Sequence, residues 1–336
     1  MSDYMLKKQI LKSAYGKIGL VLILLFCCLL SLRVGSAELS STQFFGGLLG
    51  KEEFETARII LLELRLPRIL AAVVAGAGLS VSGVLLQNVT GNELASPNII
   101  GVNAGAGFFM ALTLFFMPYA VYLRPFAAFV GAFLTTMLIL SVASKGKFSK
   151  TTVILCGVGI TAVLNAAISF LTYLNNDILM DYNFFSVGGV AGVEKNELLV
   201  PAVMIAFSFI LSLLLSKKID ALCLGDSIAN SLGINVKLLR VICLALAGLS
   251  AASAVSFAGL LGFVGLVVPH ITRRITDGST EEQLKTSVPL GGTLLVVADL
   301  VGRTVFAPSE IPVGVVMSFV GAPFLLYIVL RREKNA

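Results

Sequence analysis

The sequence predicts an all-α polytopic membrane protein of about ten transmembrane helices, and three observations carry that expectation. The first is composition. The chain has 336 residues, 57% of them hydrophobic and 13% charged, with a mean hydropathy of +0.95. A water-soluble domain carries about 25% charged residues, so this chain has too little polar surface to cover a core of its size. The second is a series of apolar runs, each near the roughly 20 residues that cross a bilayer. The third is the distribution of Lys and Arg, which obeys the positive-inside rule for ten spans and not for nine. Disordered and disulfide-scaffold classes are excluded by the same composition. The net charge of +6 then reads as basic residues held on the cytoplasmic side beside anionic lipid, with no nucleic-acid partner.

Taken in order, Lys7, Lys8, Lys12 and Lys17 precede the first apolar run, near 18–34. The Gly35-Ser36-Ala37 that follows imitates a leader cleavage site. The long basic segment and the membrane-embedded remainder favour a retained first helix. Further spans are expected near 66–86, 99–117, 122–143, 152–174, 197–215, 286–306 and 312–330. The interval 241–272 contains no Asp, Glu, Lys or Arg and is punctuated by Gly259, Gly262 and Gly265. It is too long for one upright helix and short for two, so two short or broken helices are expected. Ten spans with both termini inside place 17 of the 25 Lys and Arg on the inner side, whereas nine spans split them 12 to 13. The expected organisation is one membrane body over residues 1–336. It has a cytoplasmic N-terminus at 1–17, helices across 18–330 and a cytoplasmic tail at 331–336.

An internal echo suggests duplication. Val74-Ala75-Gly76-Ala77-Gly78-Leu79-Ser80 precedes Pro97-Asn98-Ile99, and Leu246-Ala247-Gly248-Leu249-Ser250 precedes Pro269-His270-Ile271. The two copies begin in spans two and seven, which run in opposite directions, as in the inverted repeats of transporters.

Chemistry-bearing motifs are few. The five cysteines (Cys27, Cys28, Cys156, Cys223 and Cys243) have no CxxC spacing and read as small apolar side chains. The single histidine, His270, excludes a multi-histidine metal centre, so no metal ligand is assigned. A structural role is expected for it, with a proton relay as the alternative. The run Gly46-Gly47-Leu48-Leu49-Gly50-Lys51 fails the phosphate-loop pattern, because Phe45 and Glu52 occupy positions that need Gly and Ser or Thr. No catalytic cluster and no cofactor motif is found. Within the spans the clear acidic residue is Asp299, with Arg303 one turn on, an arrangement that reads as a buried ion pair. Without embedded coupling charges, the energy for transport is expected to come from a partner protein. The loop between spans six and seven is orderly. Asp226 is a candidate N-cap, Gly233 a terminating glycine, and Ile228, Ala229 and Leu232 a shared apolar face suited to docking in a partner's groove.

With these residues in hand, the chain resembles the FecCD-type permeases of ABC importers for ferric siderophores, haem or cobalamin. The resemblance runs from about Leu64 to Leu330. It rests on Leu64-Arg65-Leu66-Pro67-Arg68, on Asn92-x-Leu94-Ala95-x-Pro97 with Gly101-Val102-x-x-Gly105-Ala106, and on the Gly225–Gly233 loop. Further on stand Gly262–His270, Ala298-Asp299-Leu300-x-x-Arg303, Glu310-Ile311-Pro312-Val313-Gly314 and Gly321-Ala322-Pro323-Phe324. It implies a type II, cobalamin-importer-like fold of ten helices that dimerises around a central pathway. Two ATPase subunits would sit inside and a substrate-binding protein outside, in a bacterial or archaeal cytoplasmic membrane. It also implies coupling helices within 222–236, with Gly225, Asp226, Ile228, Ala229, Leu232 and Gly233 meeting the ATPase. Arg65, Arg68 and Arg303 would meet glutamates of the binding protein. The bland readings are snorkelling for the first two and pairing with Asp299 alone for the third. Ser149, Lys150, Thr151 and Thr152 would form the cytoplasmic gate, and span five with Phe184–Gly192 would border the pathway. Glu93, where proline is common, and Asn103, where Ser or Thr is usual, depart from the family pattern. The rival expectation is an ion-gradient-coupled secondary transporter, in which Asp299 would carry the coupling charge.

Overall fold

The computed structural model describes residues 14–144 and 150–333, and among these there is no strand. Helix α1 covers Ala14–Arg33 and a short α2 covers Ser41–Leu48. Ser40 and Gln43 close a reciprocal capping box at the start of α2, satisfying two backbone N–H groups. A lead-in of Glu55–Ile59 and a π-helical stretch, Ile60–Arg65, runs without a break into α3, Leu66–Thr90. The cause of the wide turn is local. Pro67 has no N–H to give to the Glu63 carbonyl and its ring would collide with it, so the helix re-registers before Pro67.

The chain continues through α4 (Val102–Phe116), α5 (Leu123–Ser144), α6 (Lys150–Leu174), α7 (Asp177–Val187) and α8 (Lys195–Cys223). It then forms α9 (Asp226–Ser231), α10 (Val236–Ala258), α11 (Val264–Ile275), α12 (Thr280–Thr304) and α13 (Val313–Glu333). Helices α1, α5, α6, α8, α10 and α12, and α3 with its lead-in, are long and apolar enough to cross a membrane. Helices α4 and α13 are shorter apolar helices. With α11 they correspond to the ten expected spans, and the chain is a multi-pass membrane protein.

The interval 241–272 holds two helices with a break between them, as expected, but they are unequal. Its first part is the end of a full-length α10 of 23 residues, and only α11, with 12, is short. The break lies at Gly259–Phe263, where Phe263 takes a left-handed backbone (φ 64°).

Helix α3 is the hub and packs on α8, α10, α11 and α12. Lipid tails are as apolar as leucine, so close backbone approach through small residues holds such helices together. A Cβ on Gly76 would lie 2.2 Å from the Gly291 carbonyl oxygen of α12. The two echo segments meet at another such contact, where Ser250 Oγ donates to the Gly78 carbonyl at 2.9 Å. Their prolines differ in setting: Pro97 opens a 3-10 turn, whereas Pro269 lies inside α11.

Candidate functional site

Charged side chains collect at the two ends of the bundle. At one end the π turn and Pro67 set the start of α3 so that Arg68 reaches α12. Arg68 Nε donates to Asp299 Oδ1 at 2.8 Å, and Arg303 Nε lies 3.0 Å from Asp299 Oδ2. The expected Asp299–Arg303 pair is therefore present, one turn apart on α12, and a second guanidinium completes it. Arg303 Nη2 also donates to Ser31 Oγ at 2.5 Å on α1. Arg68 Nη1 donates to Glu310 Oε2 at 2.6 Å, and Ser36 Oγ donates to Glu310 Oε1 at 2.7 Å. Burial pushes the Glu310 carboxyl up, but hydrogen bonds from Arg68 and Ser36 and the charges of Arg68 and Arg303 outweigh it. The net effect holds it below the usual glutamate range.

Arg65 serves the backbone. Its Nη1 donates to the Leu32 carbonyl at 2.8 Å and the Arg33 carbonyl at 3.0 Å, and its Nη2 to the Ala37 carbonyl. The first two are acceptors left open where α1 ends, and the third lies in the loop that follows. The three arginines named from the sequence thus come together, but with unequal exposure. Arg65 and Arg303 are buried, while the Arg68 side chain keeps 13% of its surface. All three border a concavity of about 730 Å³ that also meets Glu63, Glu194 and Lys195.

At the other end lies α9. Gly225, with φ 121°, and Gly233, with φ 75°, bracket it in backbone conformations that favour glycine, so Gly233 terminates the helix as expected. Two expectations are corrected. Asp226 is not the N-cap. Gly225 holds that position, and the Asp226 carboxylate instead accepts from Arg240 Nη2 at 2.6 Å and Nη1 at 2.9 Å. Nor do Ile228, Ala229 and Leu232 share a face, because Ala229 is fully buried against the bundle while Ile228 and Leu232 are exposed. All other residues of the six-residue helix are exposed, so Ala229 alone marks its buried face. Leu224, just before α9, is exposed as well. Between Cys223 and Val236 there is one helix rather than several.

Of the gate residues, Ser149 lies outside the described residues, and Lys150 begins α6. Thr151 is exposed and Thr152 half-buried in its first turn. Helix α6 exposes Leu155, Val158, Val163, Phe170 and Tyr173. The Phe184–Gly192 segment is tied to the α10–α11 break and to α13. Leu260 N–H donates to the Phe185 carbonyl at 3.0 Å and Gly314 N–H to the Gly188 carbonyl at 3.1 Å. Glu93 has a clear setting: it lies 3.2 Å from Arg273 Nη1 and 3.8 Å from His270 Nδ1. Asn103 is half-buried in the first turn of α4. His270 is buried, with its ring edge-on to Phe324. No group of His, Cys, Asp and Glu that would hold a metal occurs among the described residues.

Sequence reasoning missed the partners that fix these groups: Arg240, Glu310, Ser31, Ser36 and Asn88. Asn88 joins α3 to Arg273 at 2.8 Å and to Thr280 at 3.1 Å. Arg240 carried a local signal, a basic residue at the edge of a charge-free run and 14 positions after an acid. The serines carried none.

This arrangement, a helical multi-pass body with a buried ionic cluster at one end and a surface helix at the other, has known counterparts. The FecCD transport family pattern matches residues 23–331. The hemin transport system permease protein HmuU of Yersinia pestis is 34% identical over 326 residues, covering 95% of this chain and 96% of that protein. The Fe(3+)-citrate import system permease protein YfmE of Bacillus subtilis (strain 168) is 34% identical over 312 residues, covering 92% of each. A solved structure described as an inward-facing, metal-chelate type ABC transporter superposes with TM-score 0.84 at 28% identity, covering 95% of this chain and 100% of that one. PsaBC from Streptococcus pneumoniae, at TM-score 0.59 and 17% identity, shares the fold alone. The chain belongs to the FecCD transport family.

Proposed function

We propose that this chain is the membrane-spanning permease subunit of an ABC importer that carries iron chelates across a bacterial or archaeal cytoplasmic membrane. Both termini lie in the cytoplasm. The observation that carries the reading is the exposed apolar set around α9. Ile228 stands exposed on α9, and Leu224 and Leu232 stand exposed just before and just after it, while the helix is anchored by buried Ala229 and by the Asp226–Arg240 pair. Rigid anchoring lets a push on α9 reach the transmembrane helices α8 and α10 on either side of it. Two ATPase subunits receive this helix from each half of a permease dimer, and ATP binding biases the inward- and outward-facing states through that contact. ATP hydrolysis belongs to those subunits.

Cargo follows from relatives whose names specify hemin and Fe(3+)-citrate; ferric siderophore is the class proposed for this chain. A binding protein delivers it at the arginine end, where Arg65, Arg68 and Arg303 gather. Thr151, Thr152 and their neighbours close the opposite end, and α6 and α7 border the pathway. An ion-coupled mechanism has less support, because Asp299 lies between two guanidinium groups rather than standing alone.

Reconstitution tests the proposal. Vesicles holding the permease, its co-purified ATPase and its binding protein should accumulate radiolabelled ferric chelate only with ATP inside. Accumulation by the permease alone under a proton or sodium gradient would refute it.

A further inference from the structure

Any protein that docks through a carboxylate at the arginine end meets a contact already made. Arg65 spends its donors on the carbonyls that end α1, and Arg303 is buried against Asp299 and Ser31. Arg68 is the one of the three whose side chain reaches solvent, and its inner nitrogen is held by Asp299. Its Nη1 carries Glu310, whose side chain keeps 32% of its surface. The pair stands on the wall between two concavities, the one of about 730 Å³ and a second of about 340 Å³ bordered by Phe184, Gly188 and Pro312. Glu310 belongs to the α12–α13 connection, not to a helix, and Ser36 holds its other oxygen.

We infer that Glu310 is a built-in competitor for the docking carboxylate: it occupies Arg68 Nη1 in the undocked permease, and the binding protein's acidic side chain displaces it. This rests on the proposed docking role of the arginine end. The chemistry is ligand exchange between like groups. A free carboxylate replaces a tethered one on the same guanidinium, and Glu310 moves to water with Ser36 still in reach. Asp299, with 1% of its side chain exposed, stays on Arg68 Nε throughout and keeps the guanidinium aimed outward. Exchange of one partly exposed ion pair for another is nearly neutral in energy, so docking stays reversible and sensitive to salt. Displaced Glu310 also frees the α12–α13 connection from α3, which links the docked state to the concavity that Pro312 borders with Phe184 and Gly188.

The test uses the assembled importer in nanodiscs, titrated with its own fluorescently labelled substrate-binding protein at low salt. E310Q keeps the shape and the Ser36 contact but removes the competing charge. It should tighten binding about two- to fivefold, the equivalent of one partly exposed ion pair. Ser36→Ala, which loosens Glu310 without removing its charge, should tighten it less. Arg68→Gln should weaken binding. If E310Q binds no tighter than the parent while Arg68→Gln binds more weakly, the competitor role is overturned and the docking role survives. If Arg68→Gln binds as the parent does, the docking role fails and the competitor role with it. A single cooperative melting transition and unchanged ATPase co-purification in the E310Q complex exclude misfolding as the cause of any loss.

Discussion

Asp226 and Arg240 are joined by two parallel hydrogen bonds, of 2.6 and 2.9 Å, that fasten the surface helix α9 to the first turns of the transmembrane helix α10. The guanidinium is buried and the carboxylate half-exposed, so the contact is a bidentate fork with one foot in the bundle. Arg240→Ala should therefore leave ATP turnover in place while uptake falls, because the ATPase would push a helix no longer fixed to what it must move. Leu232→Asp should act earlier, by removing the apolar contact itself. A loss of about tenfold in ATPase affinity, about 1.4 kcal/mol, is expected from pull-down titration.

Asp299→Asn removes the carboxylate that two buried or nearly buried guanidinium groups share. Breaking a buried pair from one side costs about 3–5 kcal/mol, since the remaining charge is left in a medium that cannot solvate it. Thermal unfolding in detergent should register a large drop. If the variant melts with the parent, the triad contributes nothing to stability.

Arg65→Met keeps the length and apolar stem but removes every donor. The Leu32, Arg33 and Ala37 carbonyls would lose their partner, at about 1–3 kcal/mol for the set left buried. Hydrogen exchange should rise at the end of α1 and in the following loop, and not in α9.

The Glu310 carboxyl is held below the ordinary glutamate range, so its contribution to stability is complete at pH values above the unfolded pKa of about 4.3. It is lost as pH falls through the lower folded value. The melting-temperature gap between the parent and E310Q should be constant at neutral pH and should close on acidification below that range. A gap that widens in acid would contradict the assigned direction.

How much of this was legible in the sequence varies by level. Apolar run length fixed the spans, and charge parity chose ten, because both depend on long stretches rather than single contacts. The α10–α11 break falls among the glycines that marked it, but the unequal lengths were not legible, since nothing local told that α10 would run its full length before Phe263 turned left-handed. At α9 the glycines were readable because a positive φ restricts residue type. The helix phase was not, because in six residues a buried Ala229 and an exposed Ile228 are told apart only by what α9 packs on. Asp299 was readable with Arg303, one turn away, but not with Arg68, which tertiary folding brings from span two. Ser31 and Ser36 were invisible for the same reason.

The distance along the chain between Arg68 and Asp299, 231 residues, has a consequence for biogenesis. At roughly 5–20 residues per second, the ribosome delivers the counter-ion on the order of 10 to 50 s after the arginine. Through that interval the nascent protein holds an unmatched cation at the bilayer boundary. Chains that end before α12 lack both Asp299 and Glu310 and so keep Arg68 without either carboxylate.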